Sequence, residues 1–353
     1  MKWPALLLAA ASLPAAHAQV GASAIYAVSA LDLHHTVKPG DNLYRLAGRY
    51  LESAEQWPVL RDSNAIRNPN MLQPGQVIRI PAAALPAQPV AASVTFLHGQ
   101  VRQSGASDAN PRLAQGSQLA EGTQLQVASD GYISIQLADG SVIKLQSNTV
   151  LTLERMRRRP GNGATAMDLQ LHQGSVESVV APQPPASRSF HIHTRRAVAS
   201  VRGTEFTVVT SDGADAATSV SHGAVAVQSA APGRQTPLTV ELQAGEGNRV
   251  DAQGRLGTPR KLASPPDLAA LPLLPQTAQQ LAFNLPAPEP AASYQVRIAN
   301  DASLNEVVRS GVFGTSAIQF PALPEGHYFM GVRAIDEQGI LGLEARRPVD
   351  VET

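Results

Sequence analysis

The stretch AVASVRGTEFTVV, Ala197 to Val209, sets charged residues and a glycine between two runs of alternating apolar residues. Alternation with a period of two is typical of a β-strand that is buried on one face. The charged tetrapeptide raises two hypotheses, an active-site loop or a bend in a β-fold. We favour the bend, because Gly203 can adopt backbone conformations that other residues avoid. A structural role is therefore predicted for Arg202, Gly203, Thr204, Glu205 and Phe206.

The composition of the chain limits its class. The 353 residues include 27 glycines and 27 prolines, which indicates two or three domains rather than one core. Basic and acidic residues balance at 28 each, so the net charge does not favour nucleic acid as a partner. The sequence has no cysteine, which excludes disulfides, thiolate metal sites and cysteine nucleophiles.

The first residues, MKWPALLLAAASLPAAHAQV, are typical of a secretory signal peptide. Lys2 precedes an apolar run from Leu6 to Leu13, which is too short to span a membrane. Ala16-His17-Ala18 then offers a small-x-small cleavage site. We therefore expect a signal peptide at residues 1–18 and no transmembrane segment in the mature chain. The protein is expected in the periplasm, associated with the wall, or secreted.

Proline- and alanine-rich stretches divide the rest of the chain. Residues 82–93 and 263–279 are predicted as linkers, which leaves ordered blocks at residues 34–81, 94–262 and 280–353. The fold class that follows is multidomain and mainly β, with helices only in the first block.

The first block has the order strand, helix, helix, strand. Asp41 follows the Pro39-Gly40 turn and is predicted as the N-cap of the first helix. Pro58 falls in the first turn of the second helix, where it removes no hydrogen bond. Val77 to Ile80 is predicted as the closing strand.

This βααβ block resembles the LysM domain. The likeness rests on Val37-x-Pro39-Gly40-Asp41-x-Leu43, on Asn64, and on Leu72-x-Pro74-Gly75-Gln76-x-Ile78-x-Ile80-Pro81. The resemblance implies binding of peptidoglycan glycan that contains N-acetylglucosamine, in a shallow groove between two loops. It implies a glycan site at Gly40, Asp41, Asn42, Leu43, Ala65, Ile66, Arg67, Asn68 and Pro69. A structural role is the alternative for Asp41, which can cap the helix, and for Leu43, which can belong to the core.

The second block alternates apolar and polar residues throughout, with turns at Asp130-Gly131 and Asp139-Gly140. Together with Gly174-Ser-Val176 and Val201-Arg202-Gly203-Thr204-Glu205-Phe206, this pattern resembles the FecR domain of bacterial envelope proteins. The resemblance implies an all-β domain, and a sandwich and a short β-roll both satisfy the alternation. FecR regulators also have a membrane helix, which is not found here, so their sigma-factor regulation is not transferred.

The third block, residues 280–353, contains the strand-like runs Tyr294 to Ile298 and Gly326 to Ala334, with glycine turns between alternating segments. It resembles a fibronectin type III domain, which implies a small β-sandwich.

Candidate catalytic and metal residues each have a structural alternative. His191-x-His193 has a spacing that suits two zinc ligands, as in lysostaphin-type peptidases. Those enzymes also use an upstream His-x-x-x-Asp, and no histidine of this sequence has an aspartate four residues later. We therefore predict a solvent-facing histidine pair, no metal, no cofactor and no catalytic residue. The basic run Arg155 to Arg159 is predicted as a solvated hairpin tip rather than a contact for anionic polymer.

The sequence is compatible with three functions. The first is a non-catalytic, wall-bound scaffold whose partners are peptidoglycan and other envelope proteins. The second is an envelope sensing or signalling component related to FecR regulators. The third, which the sequence favours least, is a wall hydrolase.

Overall fold

The structure is a computed structural model of the chain. It describes residues 32–352 apart from segments 106–112, 161–162, 183–187, 212–214, 230–237, 270–272 and 286–290, and residues 202 and 278. The predicted signal peptide, residues 1–18, lies outside the described residues.

The first block has the predicted order of elements. Its elements are β1 (Leu33–Thr36), α1 (Leu43–Tyr50), α2 (Trp57–Ser63) and β2 (Val77–Ile80). The two strands pair antiparallel, and the helices cover one face of the pair. Apolar residues from α1, α2, β2 and the adjoining loops form the core, namely Val37, Leu43, Leu46, Ala47, Leu51, Leu60, Ile78 and Ile80.

The second block consists of strands only, among the residues that the structure describes. The first nine are β3 (Gln88–Pro89), β4 (Ala92–His98), β5 (Val101–Ser104), β6 (Gln118–Leu119), β7 (Gln124–Val127), β8 (Tyr132–Gln136), β9 (Val142–Leu145), β10 (Val150–Arg158) and β11 (Thr165–Val179). The next eight are β12 (Arg188–His193), β13 (Ala197–Val201), β14 (Glu205–Thr210), β15 (Ala216–His222), β16 (Ala224–Ser229), β17 (Thr239–Gln243), β18 (Glu246–Val250) and β19 (Arg260–Lys261).

These strands form two layers that share β11. One layer has the order β5-β7-β10-β11-β12-β13-β16-β17, and the other β6-β4-β8-β9-β11-β14-β15-β18-β19. Strand β11 changes layer at Gly174, whose φ is +92° and whose added Cβ would lie 2.4 Å from Oγ1 of Thr149. Phe190 of one layer meets Phe206 of the other edge to face, with ring centroids 6.3 Å apart. Two packed layers around one core correspond to the sandwich alternative.

The third block is also made of strands within its described residues. They are β21 (Gln280–Asn284), β22 (Ser293–Ala299), β23 (Val307–Phe313), β24 (Ala317–Pro321), β25 (Gly326–Ile335) and β26 (Ala345–Glu352). The predicted linker 263–279 is not wholly irregular, because it contains β20 (Leu273–Pro275), which pairs with β26. A five-stranded sheet, β20-β26-β25-β22-β23, lies beside the pair β21-β24. The mainly β fold class is thus confirmed, whereas the fibronectin type III likeness stays a prediction.

The third block packs, through buried polar groups, against the outer face of the layer that contains β9 and β14. Strand register aligns Lys144, Glu177 and Thr207 on that face, and each is about 2% exposed. From the third block, Arg297 donates to Glu177 Oε2 at 2.9 Å, and Arg333 donates to the same oxygen at 3.0 Å and to Thr207 at 3.0 Å.

Glu177 is therefore surrounded by cations. Lys144 Nζ lies 3.2 Å from its second oxygen and donates to the carbonyl of Ser303 at 2.7 Å. Burial alone would raise the pKa of the Glu177 carboxyl, but Arg297, Arg333 and Lys144 outweigh it and hold the pKa well below its ordinary value. The carboxylate stays ionised, and it links two blocks that the sequence predicts as separate.

The predicted linker at residues 82–93 contains regular structure in part. A 3-10 turn covers Ala82–Ala84, and β3 pairs with Arg157 and Arg158 of β10. The domain boundaries themselves stay predictions. Across the described residues, no helix has both the length and the apolar character needed to cross a membrane.

Replacing Glu177 with Gln is expected to lower the free energy of unfolding by about 3–5 kcal/mol. Lys144, Arg297 and Arg333 would lose their shared carboxylate. The two buried arginine charges would then share one carboxylate partner, Glu344. Urea unfolding of the full chain measures this. The matched control is Glu154→Gln, at an exposed position of β10. It is expected to change the free energy of unfolding by less than about 0.5 kcal/mol. Equal stability of the two variants would contradict the ion network.

The destabilisation by Glu177→Gln is expected to shrink in acid. A carboxyl whose pKa is depressed in the folded state contributes stability above its unfolded pKa of about 4.3, and loses it as the pH falls through the folded value. The difference in unfolding free energy between wild type and variant should therefore be full at about pH 6 and decline steadily below about pH 4. A difference that stays constant down to about pH 2 would argue against an ionised Glu177.

Candidate functional site

A groove of about 450 Å³ opens on the first block, between the start of α1, the start of α2 and the loop after α2. Both loops that the LysM resemblance implies border it. The residues that line it are Asn42, Leu43, Tyr44, Trp57, Pro69 and Asn70.

The loop before α1 is held by side chains within the block. Gly40 has a φ of +89°, which favours glycine, and its carbonyl accepts a hydrogen bond from Arg45 at 2.8 Å. The N-cap of α1 is Asn42, whose Oδ1 accepts from the amide of Arg45 at 2.8 Å. The prediction of Asp41 as the cap is therefore wrong by one residue.

Asp41 has a different structural role. Its Oδ2 accepts from the amide of Lys38 at 2.8 Å and lies 2.8 Å from Nε2 of His35, whose Nδ1 lies 2.9 Å from the Tyr50 hydroxyl. The hydrogen bond with His35, followed by that from Lys38, lowers the pKa of the Asp41 carboxyl. Asp41 thus ties the loop to β1 and, through His35, to α1.

Of the nine residues that the resemblance implies, three line the groove: Asn42, Leu43 and Pro69. Leu43 is only 2% exposed, so most of its side chain belongs to the core. Residues 65–68, in the loop after α2, shape the edge of the groove that this loop forms. Ala65 has a φ of +51°, Ile66 packs on the core and Arg67 is exposed. Asn68 Oδ1 accepts from the amide of Asn70 at 3.1 Å and shapes the turn at Pro69.

Sequence reasoning missed three lining residues, Tyr44, Trp57 and Asn70. Tyr44 is 52% exposed, and the guanidinium of Arg61 lies 5.4 Å from the ring centre of Trp57. An aromatic residue on the outward face of a short helix, beside a candidate sugar loop, is a signal that could have found Tyr44. The groove thus offers two aromatic rings and two side-chain amides, a combination able to contact the face and the acetamido group of a sugar.

A second polar cluster lies on the outer face of the other sandwich layer. Parallel pairing of β11 with β12 sets Asp168 beside His191, and His193 follows on the same face. Asp168 Oδ1 lies 2.8 Å from His191 Nδ1 and 3.8 Å from His193 Nε2. The histidine pair is therefore not simply solvent-facing as predicted, because each ring is about one third exposed and faces a carboxylate.

Arg155 completes this cluster and donates from Nε to Asp168 Oδ2 at 2.6 Å. Partial burial would raise the pKa of the Asp168 carboxyl, but the interactions with His191, His193 and Arg155 hold it well below its ordinary value. The basic run lies at a hairpin between β10 and β11, as predicted, and Arg159 is in its turn. Arg155 and Arg157, however, lie within β10 and make ion pairs instead of facing solvent freely.

Three further histidines, His98, His172 and His222, each lie next to or two residues before a glycine, but the structure does not bring them together. His98 lies at the end of β4 near Arg309, and His222 at the end of β15. His172 lies within β11 and contacts the Thr152 hydroxyl at 2.9 Å. Gly99, Gly174 and Gly223 all have positive φ, and each lies where the chain passes from one layer to the other. The strands on either side of Gly99 and of Gly223 do not pair with each other, so the repeated unit is a crossing between layers and not a hairpin.

The motif around Gly203 joins β13 to β14. Arg202 lies outside the described residues. Gly203 has a φ of +68°, and its added Cβ would lie 3.2 Å from Cα of Pro182. Thr204 is buried and donates to the carbonyl of Ala224 at 3.0 Å, whereas Phe206 belongs to the core. Glu205 lies 3.5 Å from Arg346 of the third block. All of these contacts are with other parts of the fold, as a structural role for the motif predicts.

Comparison with known families identifies two domains. A model of the LysM domain matches residues 35–81, and a model of the FecR protein family matches residues 123–226. The chain therefore contains a LysM domain and a FecR domain, as the sequence motifs predict.

Individual relatives match only parts of the chain. An uncharacterized protein of Deinococcus radiodurans is 42% identical over 50 residues, which are 14% of this chain and 20% of that protein. A crystal structure of a “putative anti-sigma factor” from Parabacteroides distasonis covers 39% of this chain and 59% of its own, with 21% identity and a TM-score of 0.31. The match to the extracellular domain of a “putative hybrid two component system” from B. thetaiotaomicron covers 62% of this chain and 36% of that domain's chain, with 10% identity and a TM-score of 0.18. This chain spans less than two thirds of each of them.

Replacing Gly203 with Val is expected to lower the free energy of unfolding by about 1–3 kcal/mol, since a β-branched residue is strained at positive φ. Gly314→Val is the control, because an added Cβ there meets nothing within 4 Å. Urea unfolding measures both, and glycan binding by the first block should survive in each. A Gly203→Val protein as stable as its control would contradict a structural role of the glycine.

Proposed function

We propose that the protein is an exported, non-catalytic component of the bacterial cell envelope that binds peptidoglycan. Its LysM domain holds glycan that contains N-acetylglucosamine, and its β-rich part presents surfaces to other envelope proteins. The groove lined by Asn42, Tyr44, Trp57 and Asn70 in a matched LysM domain is the observation that supports this proposal.

The chemistry of the groove suits a neutral sugar. The rings of Tyr44 and Trp57 can pack on the apolar face of a pyranose, and the amides of Asn42 and Asn70 can exchange hydrogen bonds with hydroxyl and acetamido groups. None of these four side chains carries a charge. Hydrogen bonding and ring packing, rather than ion pairing, would therefore give the affinity.

A single shallow groove gives modest affinity for a free oligosaccharide. Within the wall, however, the repeating glycan presents many copies of the ligand, so a protein that dissociates is recaptured at a neighbouring repeat. We infer that the LysM domain anchors the protein to the wall rather than acting on it.

Signalling is the second candidate, and the FecR match favours it. Such a role needs a membrane-spanning partner. Affinity capture from cross-linked envelopes would separate the two candidates, because a signalling component should retain one transmembrane protein even when the LysM domain is deleted. A scaffold should instead capture envelope proteins through its β-rich part without enriching any one transmembrane protein.

The mature protein is expected to co-sediment with purified peptidoglycan sacculi, and deletion of residues 34–81 should abolish this. Tyr44→Ala and Asn70→Ala should each weaken binding about two- to tenfold, as expected for one packing or hydrogen-bonding contact. Both positions are exposed, so neither change should unfold the domain.

The matched control is Val59→Ala, because the Val59 side chain is exposed on α2 and lies outside the groove. It should bind sacculi like the wild type. The proposal fails if the wild type stays in the supernatant, or if Val59→Ala weakens binding as much as the groove variants.

A further inference from the structure

We propose that Asp168, His191 and His193 form a binding site for a divalent transition metal of the Zn²⁺ class on the outer face of the FecR-containing sandwich. The inference rests on the placement of three ligand-bearing side chains on two adjacent strands. It is independent of glycan binding by the LysM domain.

The three side chains already converge. One donor atom from each, a carboxylate oxygen and two imidazole nitrogens, lies within 4.8 Å of the other two. Ligands around a tetrahedral Zn²⁺ lie about 3.3 Å apart, given metal–ligand bonds of about 2.0–2.1 Å. The ligand atoms are therefore at most about 1.5 Å farther apart than in a zinc site, a difference on the scale of side-chain rotation with the strands in place.

The strands fix the relative positions of the ligands. Asp168 is in direct register with His191, and the alternation of β12 sends His193 to the same side while Phe190 and Ile192 enter the core. Strand-borne ligands lose little backbone freedom on binding, which favours a preformed site.

Arg155 orients the carboxylate. It binds Asp168 Oδ2 and leaves Oδ1 directed at the two imidazoles. Carboxylate ligands in metal sites are commonly held in this way by a neighbouring donor. The guanidinium also offsets the charge of the carboxylate, so the two imidazoles should determine which metal binds. Imidazole selects Zn²⁺, Ni²⁺ and Cu²⁺ over Mg²⁺ and Ca²⁺.

Two nitrogens and one oxygen do not complete a tetrahedral shell. A bound ion would therefore keep a position for water or an external ligand, as three-ligand zinc sites do. His191 also lines a groove of about 370 Å³ that includes Ser189, Ser200 and Glu241. An external ligand could reach the ion from this groove.

Isothermal titration with ZnCl₂ tests the proposal on the full mature chain, purified without a histidine tag and stripped with EDTA. The wild type should bind one equivalent of Zn²⁺. His191→Ala combined with His193→Ala should lower the affinity at least about a hundredfold, and Asp168→Asn at least about tenfold, by loss of ligands. The control is His172→Ala, an exposed histidine on the same strand face as Asp168, which should bind like the wild type.

A second measurement guards against a folding defect. Zn²⁺ should raise the melting temperature of the wild type and of His172→Ala but not of the double variant, because an ion that binds only the folded state stabilises it. The proposal is overturned if the wild type shows no saturable Zn²⁺ binding, if the double variant binds equally, or if Mg²⁺ at the same concentration competes with Zn²⁺. The Asp168–His191 hydrogen bond would then be purely structural.

Discussion

The buried carboxylate of Glu177 constrains how the β-rich part of the protein packs, because its charge has to be paired. It is 2% exposed, and its nearest cations, Lys144, Arg297 and Arg333, come from both sides of one interface. A charge buried this deeply is costly unless every partner is in place. The FecR-containing sandwich and the C-terminal block are therefore stable together in one relative position, and a sliding arrangement would leave at least one charge unpaired.

Close backbone approach supports the same interface. A Cβ added at Gly247 of β18 would meet Cγ2 of Ile340, in the third block, at 2.7 Å. Around the charges, Tyr132 donates to the carbonyl of Leu304 at 3.0 Å within a small apolar cluster. Specific ion pairs at the centre and steric fit at the edges both restrict the docking. By contrast, the LysM domain contacts the sandwich through Arg159 and Glu52, an exposed pair of the kind that contributes at most about 1 kcal/mol.

The sequence predicts those features of the fold that depend on interactions between neighbouring residues. The alternation of the second and third blocks, the proline in the first turn of α2 and the positive φ at Gly203 all follow from the properties of a few adjacent residues. Asn42 and Asp41 mark where this reasoning loses accuracy. Both residue types can cap a helix, but the Asp41 carboxylate is hydrogen-bonded instead to His35, six residues earlier. The groove residues Tyr44, Trp57 and Asn70 come from three separate segments, so only the folded chain shows that they share one surface.

The two polar clusters on the sandwich show why long-range pairing limits prediction further. In sequence, Lys144, Glu177, Asp168 and His191 are ordinary polar positions of strands with an exposed face. Strand β11 carries Asp168 on the outside of one layer and, beyond the bend at Gly174, Glu177 on the outside of the other. The C-terminal block covers the cluster around Glu177, whereas the rings of His191 and His193 beside the buried Asp168 remain about one third exposed. A polar cluster covered by a partner becomes an ion network that fixes domain position, and one left open keeps its donor atoms for a ligand. Which of the two occurs depends on what packs on the face, and the pattern of a single strand carries no information about that.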